Sequence, residues 1–467
     1  MPDTTDQPAT EQSGSTGTRI SRRELLRKAG AGAVALGVAG STAPFSFAGP
    51  LRYKGRWLKG DLSIIQWVHF VPAYDDWFDN TWVKQWGQAN DVQVNVEHIN
   101  NTLLDTRAAA EVAAQSGHDL FFNLHPMASY EDQVINHASI INEVQRKVGK
   151  YGALAKLSTY NTKTKKYFAI SDNYVPDPVV WRHDLWNAVG ESPATWDHVA
   201  KAAPKLKASG HPIGIGQSQE LDSNMALIAF LMCFGSFIQD EHNRPTLQSK
   251  NTVEAVKFMA SLYKSGEDAG IFGWNPASNN NYIYSGTGSM ILNAISATRT
   301  PEAQHLPFSD NLWIWPIPAG PKGRLGLEHV MGCYSIWKFA KNKENAEKFL
   351  ADLCIHGKDA TVASQLYNFP SFPDAFPFKS IRKLAAEDKN KPNGKYTILT
   401  TIAEKYTHNI GYPGTTNAAI DEIFSKYLIP QMFAQVSQGK LSAQDSVRDT
   451  MSVVKGIYSK WRKRGKI

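Results

Sequence analysis

The stretch from Leu62 to Pro126 restricts the fold more than any other. "LSIIQWVHF" (Leu62–Phe70) is rich in β-branched and aromatic residues and opens the folded part of the chain as a strand. A helix follows over about Asp75 to Asn90, and "VQVNVEHI" then alternates apolar and polar residues as a second strand. "TRAAAEVAAQSG" is predicted to be a helix closed by Gly117, and "HDLFFNLH" the next strand. A β-α-β-α-β order makes neighbouring strands parallel, because each helix carries the chain back to the starting edge. Such α/β sheets bind ligands beyond the carboxyl ends of their strands. Those ends are Trp67–Phe70 and Asn123–Pro126.

Further along the pattern changes. "KKYFAISDNYVPDPVVWRHDLW" is predicted to start as a hairpin, and "SPATWDHVAKAAPKLKASG" to be a helix. Thr195 caps that helix, Asp197 and His198 occupy its first turn, and Gly210 ends it. "NTVEAVKFMASLYKSG" is a long amphipathic helix with Val253, Val256, Phe258, Met259 and Leu262 on its apolar side. "TGSMILNAIS", "NLWIWPIPAGP" and "VMGCYSIWKFA" are predicted strands, and "NKENAEKFLADLC" a helix. Beyond "YNFPSFPDAFPF" the expectation is mostly helix to the end.

The amino end holds "SRRELLRKAGAGAVALGVAG" (Ser21–Gly40). Its uncharged run falls short of the ~20 apolar residues that a membrane span needs. Arg22 and Arg23, with Leu25 two places on, have the layout of a twin-arginine export signal. Ser46-Phe47-Ala48 places small residues for cleavage after Ala48, so residues 1–48 are expected to be signal peptide and disordered leader. No cysteine stands at that junction to carry a lipid. The expected location is periplasmic, with no stable membrane insertion.

Net charge is +7, and the excess outside the leader belongs to the tail: Lys455–Ile467 carries six Lys/Arg and no acid. Such a tail reads as a solvated terminus, and no nucleic-acid partner is expected. Cys233, Cys333 and Cys354 make no disulfide framework and are expected buried and free. No HExxH, CxxC, P-loop or Gly-x-Ser-x-Gly motif occurs, and His118, His125 and His137 lack ligand spacing. No catalytic residue, metal site or cofactor is expected.

Several stretches then share one resemblance. They are Val175-Pro176, Trp181-Arg182-His183-Asp184-Leu185, and Pro193-Ala194-Thr195-Trp196-Asp197. Pro245-Thr246-Leu247 with Glu254-Ala255-Val256, and Ser285-Gly286 with Met290, continue the series. Pro316 to Arg324 ("PIPAGPKGR"), Asn342 to Leu350, and "QGKLSAQDSVRDTMSVV" complete it. In this order they resemble the family 1 extracellular solute-binding proteins, the maltose-binding-protein-like sugar binders of ABC importers. The resemblance runs from about Asp61 almost to the C-terminus.

It implies an α/β, two-lobed periplasmic-binding-protein fold (type II-like), with doubly wound sheets, a hinge and an interlobe cleft. By the family pattern residues 61–171 plus 330–372 form lobe 1, and 172–329 plus 373–467 form lobe 2. The crossovers fall near Ser171 and His329. The implied function is binding of a neutral polyhydroxylated solute (sugar, oligosaccharide or polyol) and its delivery to permease subunits, by a monomer that is not an enzyme. The alternatives are a non-sugar solute (polyamine, phosphodiester or metal) or an enzyme exported by the twin-arginine route.

Sugar recognition needs aromatic faces and planar polar groups at strand ends and crossovers. The candidates are Trp67, His69 and Tyr74 after the first strand, and Asn123 and His125 after the third. Asp172, Asn173 and Tyr174 lie at the first crossover, and Asp222 and Asn224 follow a Gly-rich strand end. Trp274 stands in a polar loop, Asn293 in a strand, and Glu328 and His329 at the second crossover.

Overall fold

The structure is a computed structural model that describes residues 52–53 and 56–467. The chain divides into two units, Met1–Val38 and Ala39–Ile467, and the described residues belong to the second. Arg22, Arg23 and the expected cleavage after Ala48 lie outside the described residues.

The strands of the two main sheets are β1 (Gly60–Trp67), β2 (Val92–Ile99), β3 (Leu120–Asn123), β4 (Ile170–Pro176), β5 (Val179–Arg182), β6 (Met290–Leu292), β7 (Leu312–Trp315), β8 (Gly326–Ile336), β9 (Phe369–Pro370) and β10 (Thr407–His408). The helices that shape the cores and the site are α1 (Pro72–Trp77), α2 (Leu104–Ala114), α3 (Trp196–Ala208), α4 (Leu221–Cys233), α5 (Lys250–Gly266), α6 (Ser278–Tyr284), α7 (Lys343–Ile355), α8 (Ala418–Ser425) and α9 (Ala443–Lys463). No described helix is long and apolar enough to cross a membrane.

The larger sheet has seven strands, ordered β9-β4-β8-β3-β1-β2, with β10 beside the start of β8. β1 runs parallel to both β2 and β3, as the alternating strand–helix pattern requires. The antiparallel strand β8 then joins β3 to β4. The smaller sheet is antiparallel, ordered β6-β5-β7. The chain leaves the larger sheet after Pro176 and enters the smaller at Val179, so Asp177-Pro178 is the passage and Ser171 lies within β4. It returns between Trp315 and Gly326.

The described residues form two apolar cores, and the smaller sheet feeds both: Val180, Ile291 and Ile314 belong to the first, Val179, Trp181 and Met290 to the second. The first gathers Ile64, Ile65, Trp82, Trp86, Phe121, Tyr334 and Phe349 about the larger sheet. It also takes in Phe376, Ile381, Tyr396 and Leu399. Trp86 packs edge-on to Phe349 with centroids 5.0 Å apart, and its indole donates to Asp352 at 2.9 Å. The second core gathers Trp186, Trp196, Phe230, Met259, Met432 and Tyr458. α4 crosses its middle with every residue from Asp222 to Cys233 buried, which is why its sequence shows no polar face. Cys233, Cys333 and Cys354 are buried and free, as expected.

Two local features differ from expectation. α2 is closed by Gln115 in the left-handed region (φ 48°), two residues before Gly117. Gly117 serves another need: a Cβ there would lie 2.2 Å from the Glu111 carboxylate, which occupies its space. The helix expected over Asp75–Asn90 starts earlier, at Pro72, and passes through a π-helical turn at Phe78–Trp82. Thr195 caps α3 as read, accepting from the His198 amide at 3.1 Å.

Candidate functional site

The carboxyl ends of β2 and β3 deliver the polar groups of the site. After β2, Asn100 caps a short 3₁₀ turn by accepting from the Thr102 amide at 3.0 Å, and α2 follows with Asp105 in its first turn. A carboxylate there faces the positive end of the helix dipole. Asn123 ends β3, and His125 stands two residues beyond it. The Asn123 amide and the His125 Nε2 both bond one oxygen of Asp105, Oδ1, at 2.9 and 3.0 Å. Nδ1 of His125 lies 3.5 Å from Asp421 on α8. Asp421 also accepts from the Ser129 amide at 2.7 Å.

His125 is thus a buried ring between two carboxylates. Burial opposes its charge, but Asp105 and then Asp421 overcome that and raise its pKa to about 9. Burial would raise Asp105, yet the charge on His125 and the bonds from His125 and Asn123 hold it at about 2. The Asp105 side chain remains 45% exposed while His125 is 5% exposed.

Beside this group lies a cavity of about 330 Å³. Asn101, Thr102, Asp105, Asn123 and His125 line it. Gln219, Glu220, Trp274, Asn275, Phe424 and Tyr427 also line it. Trp274 is seated by Gly214, where a Cβ would come within 2.4 Å of its ring, and by Tyr282 at 5.2 Å between centroids. A second cavity of about 220 Å³ shares Asp105 and His125 and extends past Ser129 and Tyr130 to Lys426 and Trp461. The lining is aromatic and amide-rich, the chemistry that holds a hydroxylated ring.

A second histidine bridge stands at the passages between the sheets. His329 on β8 reaches Asp177 at 3.2 Å through Nδ1 and Asp222 at 3.5 Å through Nε2. Asp222 also accepts from Asn279 on α6 at 2.7 Å. Burial works against charge on His329, and the attraction of Asp222 and Asp177 raises its pKa nonetheless. Glu220 caps α4 by accepting from the Asp222 amide at 2.7 Å and from the Ser223 amide, and burial pushes its carboxyl upward.

Residues 72–351, more than half of the chain, match the sequence model of the bacterial extracellular solute-binding proteins. The chain belongs to that family. Among curated relatives, a Brucella abortus (strain 2308) protein named as a binding protein is 27% identical over 177 residues, 36% of this chain and 42% of that one. A Brucella suis protein named in the same way matches over the same shares. The chain thus spans about two fifths of the length of these relatives. Among solved structures, a sugar transporter from Arthrobacter chlorophenolicus A6 with bound laminaribiose superposes with a TM-score of 0.70 at 17% identity, over 85% of this chain and 99% of that one. Maltose-bound T. maritima MalE3 gives 0.71 at 15% identity, over 85% and 100%. An Agrobacterium radiobacter K84 solute-binding protein in complex with ribitol gives 0.69 at 14%, over 85% and 98%. The fold of this solute-binding protein is the two-lobed α/β fold of these structures.

In the solute-binding protein the sequence candidates fall into separate groups. Asn123, His125 and Trp274 meet at the 330 Å³ cavity. Trp67, His69, Tyr74 and Asn173 meet elsewhere, around a void of about 10 Å³ with room for one water. Tyr74 lies over His69 at 4.6 Å, and burial lowers the His69 pKa to about 4, leaving the ring neutral. Asn173 bonds Asp172 at 2.9 Å, and burial raises Asp172 to about 7. Tyr174 is buried in β4 opposite Met331. Asn224 donates to the Phe424 carbonyl at 2.8 Å, and Asn293 to Asn280. Glu328 accepts from the Ile410 amide at 3.1 Å. Asp222 and His329 form the second bridge.

The sequence reading omitted Asn101, Thr102, Asp105, Gln219, Glu220, Phe424 and Tyr427 from the cavity, and Asp177 and Asp421 from the bridges. For Asp105 a signal existed: the turn after β2 leaves the same sheet edge as Trp67 and Asn123.

Proposed function

We propose that this chain is the extracytoplasmic solute-binding component of an ABC importer, and that it binds a neutral polyhydroxylated solute in the 330 Å³ cavity. The observation that carries the reading is the lining: Trp274, Phe424 and Tyr427 offer aromatic surface, while Asn101, Asn123, Gln219 and Asn275 offer amides. Laminaribiose, maltose and ribitol in its structural neighbours support a sugar or polyol as the class. On this reading the larger sheet builds one lobe and the smaller sheet the other. Asp177-Pro178 and β8 carry the hinge. The protein leaves the cell by the twin-arginine route, acts as a monomer in the periplasm, and passes its solute unaltered to the permease.

A thermal-shift screen tests it, because a ligand that binds only the folded state raises the unfolding midpoint. Disaccharides, monosaccharides and polyols are compared with polyamines and phosphodiesters, and hits are titrated by calorimetry. The expected result is a saturable shift with a sugar or polyol and recovery of the intact compound. Shifts only from polyamines or phosphodiesters, or turnover of the hit, would overturn the reading.

A further inference from the structure

The charged groups of the cavity are arranged unevenly. Three of its lining residues can carry charge, namely Asp105, His125 and Glu220, and none is Lys or Arg. The one potential cation, His125, is spent between Asp105 at 3.0 Å and Asp421 at 3.5 Å. Glu220 is turned to the start of α4, where its two oxygens accept the Asp222 and Ser223 amides. The neighbouring cavity adds Lys426 and Lys460, but both are paired with Glu422.

Of the two carboxylates in the lining, Asp105 keeps a free oxygen. Its Oδ1 takes both protein bonds, from Asn123 and His125, so the carboxylate is fixed in orientation. No protein group among the described residues donates to Oδ2, although the side chain is half exposed beside both cavities. A fixed carboxylate oxygen can accept from a hydroxyl or an ammonium. It repels another anion, and the lining of the 330 Å³ cavity holds no Lys or Arg to offset that repulsion.

We propose that the cavity selects its solute by charge: Asp105 accepts from a neutral sugar or an amino sugar, and sugars bearing a carboxylate or phosphate are rejected. This deepens the reading of the cavity as a sugar site and rests on it.

The test is a charge series on the wild-type protein, read by calorimetry. Glucose, glucosamine, glucuronate and glucose 6-phosphate are measured, together with the tightest neutral hit of the screen. The expected order places both anions about 100-fold or more weaker than glucose, with glucosamine at least equal to glucose. Asp105→Asn is then expected to weaken the neutral hit about 10-fold to 100-fold, the worth of a hydrogen bond to a charged group, and to narrow the gap to glucuronate. The unliganded unfolding midpoint of the variant reports on its folding, and the wild-type series stands without it. Equal binding of glucuronate and glucose by the wild type, or an unchanged affinity of a folded Asp105→Asn, overturns the proposal while leaving a sugar site intact. Absence of binding by every sugar and polyol overturns the functional reading, and this proposal with it.

Discussion

Asp222 on α4 and His329 on β8 approach to 3.5 Å, Oδ1 to Nε2, and neither side chain is more than 6% exposed. Asp177, at the passage between the sheets, holds the other nitrogen of the same ring at 3.2 Å. One imidazole therefore ties together the outgoing passage, the returning strand and a helix of the second core.

Replacing that ring should be costly. His329→Gln removes the cation and leaves two buried carboxylates facing each other. Breaking a buried ion pair from one side costs about 3–5 kcal/mol. Denaturant unfolding of the variant should show a loss of that order; a loss below about 1 kcal/mol would mean that the bridge carries no charge.

His125 should make stability depend on alkaline pH. Its pKa is near 9 in the folded protein and about 6.5 in the unfolded chain. The folded value is the higher one, so the contribution is complete below about pH 6.5 and is lost as pH climbs through 9. The difference in unfolding midpoint between wild type and His125→Gln should be largest near pH 6 and shrink by pH 10 to what the packing of the neutral ring contributes. A difference that does not change with pH contradicts this.

Asp119 gives the opposite sign. Its carboxylate accepts from Ser63 through the amide at 3.0 Å and the hydroxyl at 2.9 Å, and from the Lys341 and Asn342 amides at 2.9 and 2.8 Å. Burial alone would raise its pKa, but the bonds from Asn342 and Ser63 prevail and lower it. The stabilisation is present above the unfolded value of about 3.9 and is lost as pH falls through the lower folded value. Asp119→Asn should cost on the order of 3 kcal/mol at pH 7, and less in acid, by denaturant titration at each pH.

Two glycines should respond differently to the same change. Gly214→Ala sets a methyl 2.4 Å from the Trp274 ring and 2.8 Å from Tyr282, so the tryptophan must move. Overpacking of this kind costs about 1–3 kcal/mol, and solute affinity should fall together with a shift in tryptophan emission. Gly456→Ala in α9 meets nothing within 4 Å and should stabilise by about 0.5–1 kcal/mol.

The parallel trio β2-β1-β3 was legible because apolar runs alternate with helical ones over a short span. The Thr195 cap was legible because its signal is local. The antiparallel return of β8 between β3 and β4 was not, since pairing of residues more than 150 positions apart leaves no trace in either segment alone. The site was half legible for the same reason. Asn123 and His125 declare themselves at a strand tip, but Phe424, Tyr427 and Asp421 reach the site from helical sequence much later in the chain. Asp105 was overlooked because an acid in the first turn of a helix has a sufficient local explanation.

β8 is buried over all eleven of its residues. It pairs with β10 at Gly326–Leu327 and with β4 beyond, and its register slips at Glu328/Val330 and again at Gly332/Cys333. On the proposed reading β8 carries the hinge, and that hinge then lies in a sheet interior and not in an exposed tether. Proteases nick exposed, mobile loops. A hinge enclosed in this way would offer them no purchase, and the chain would stay whole through each cycle of closure.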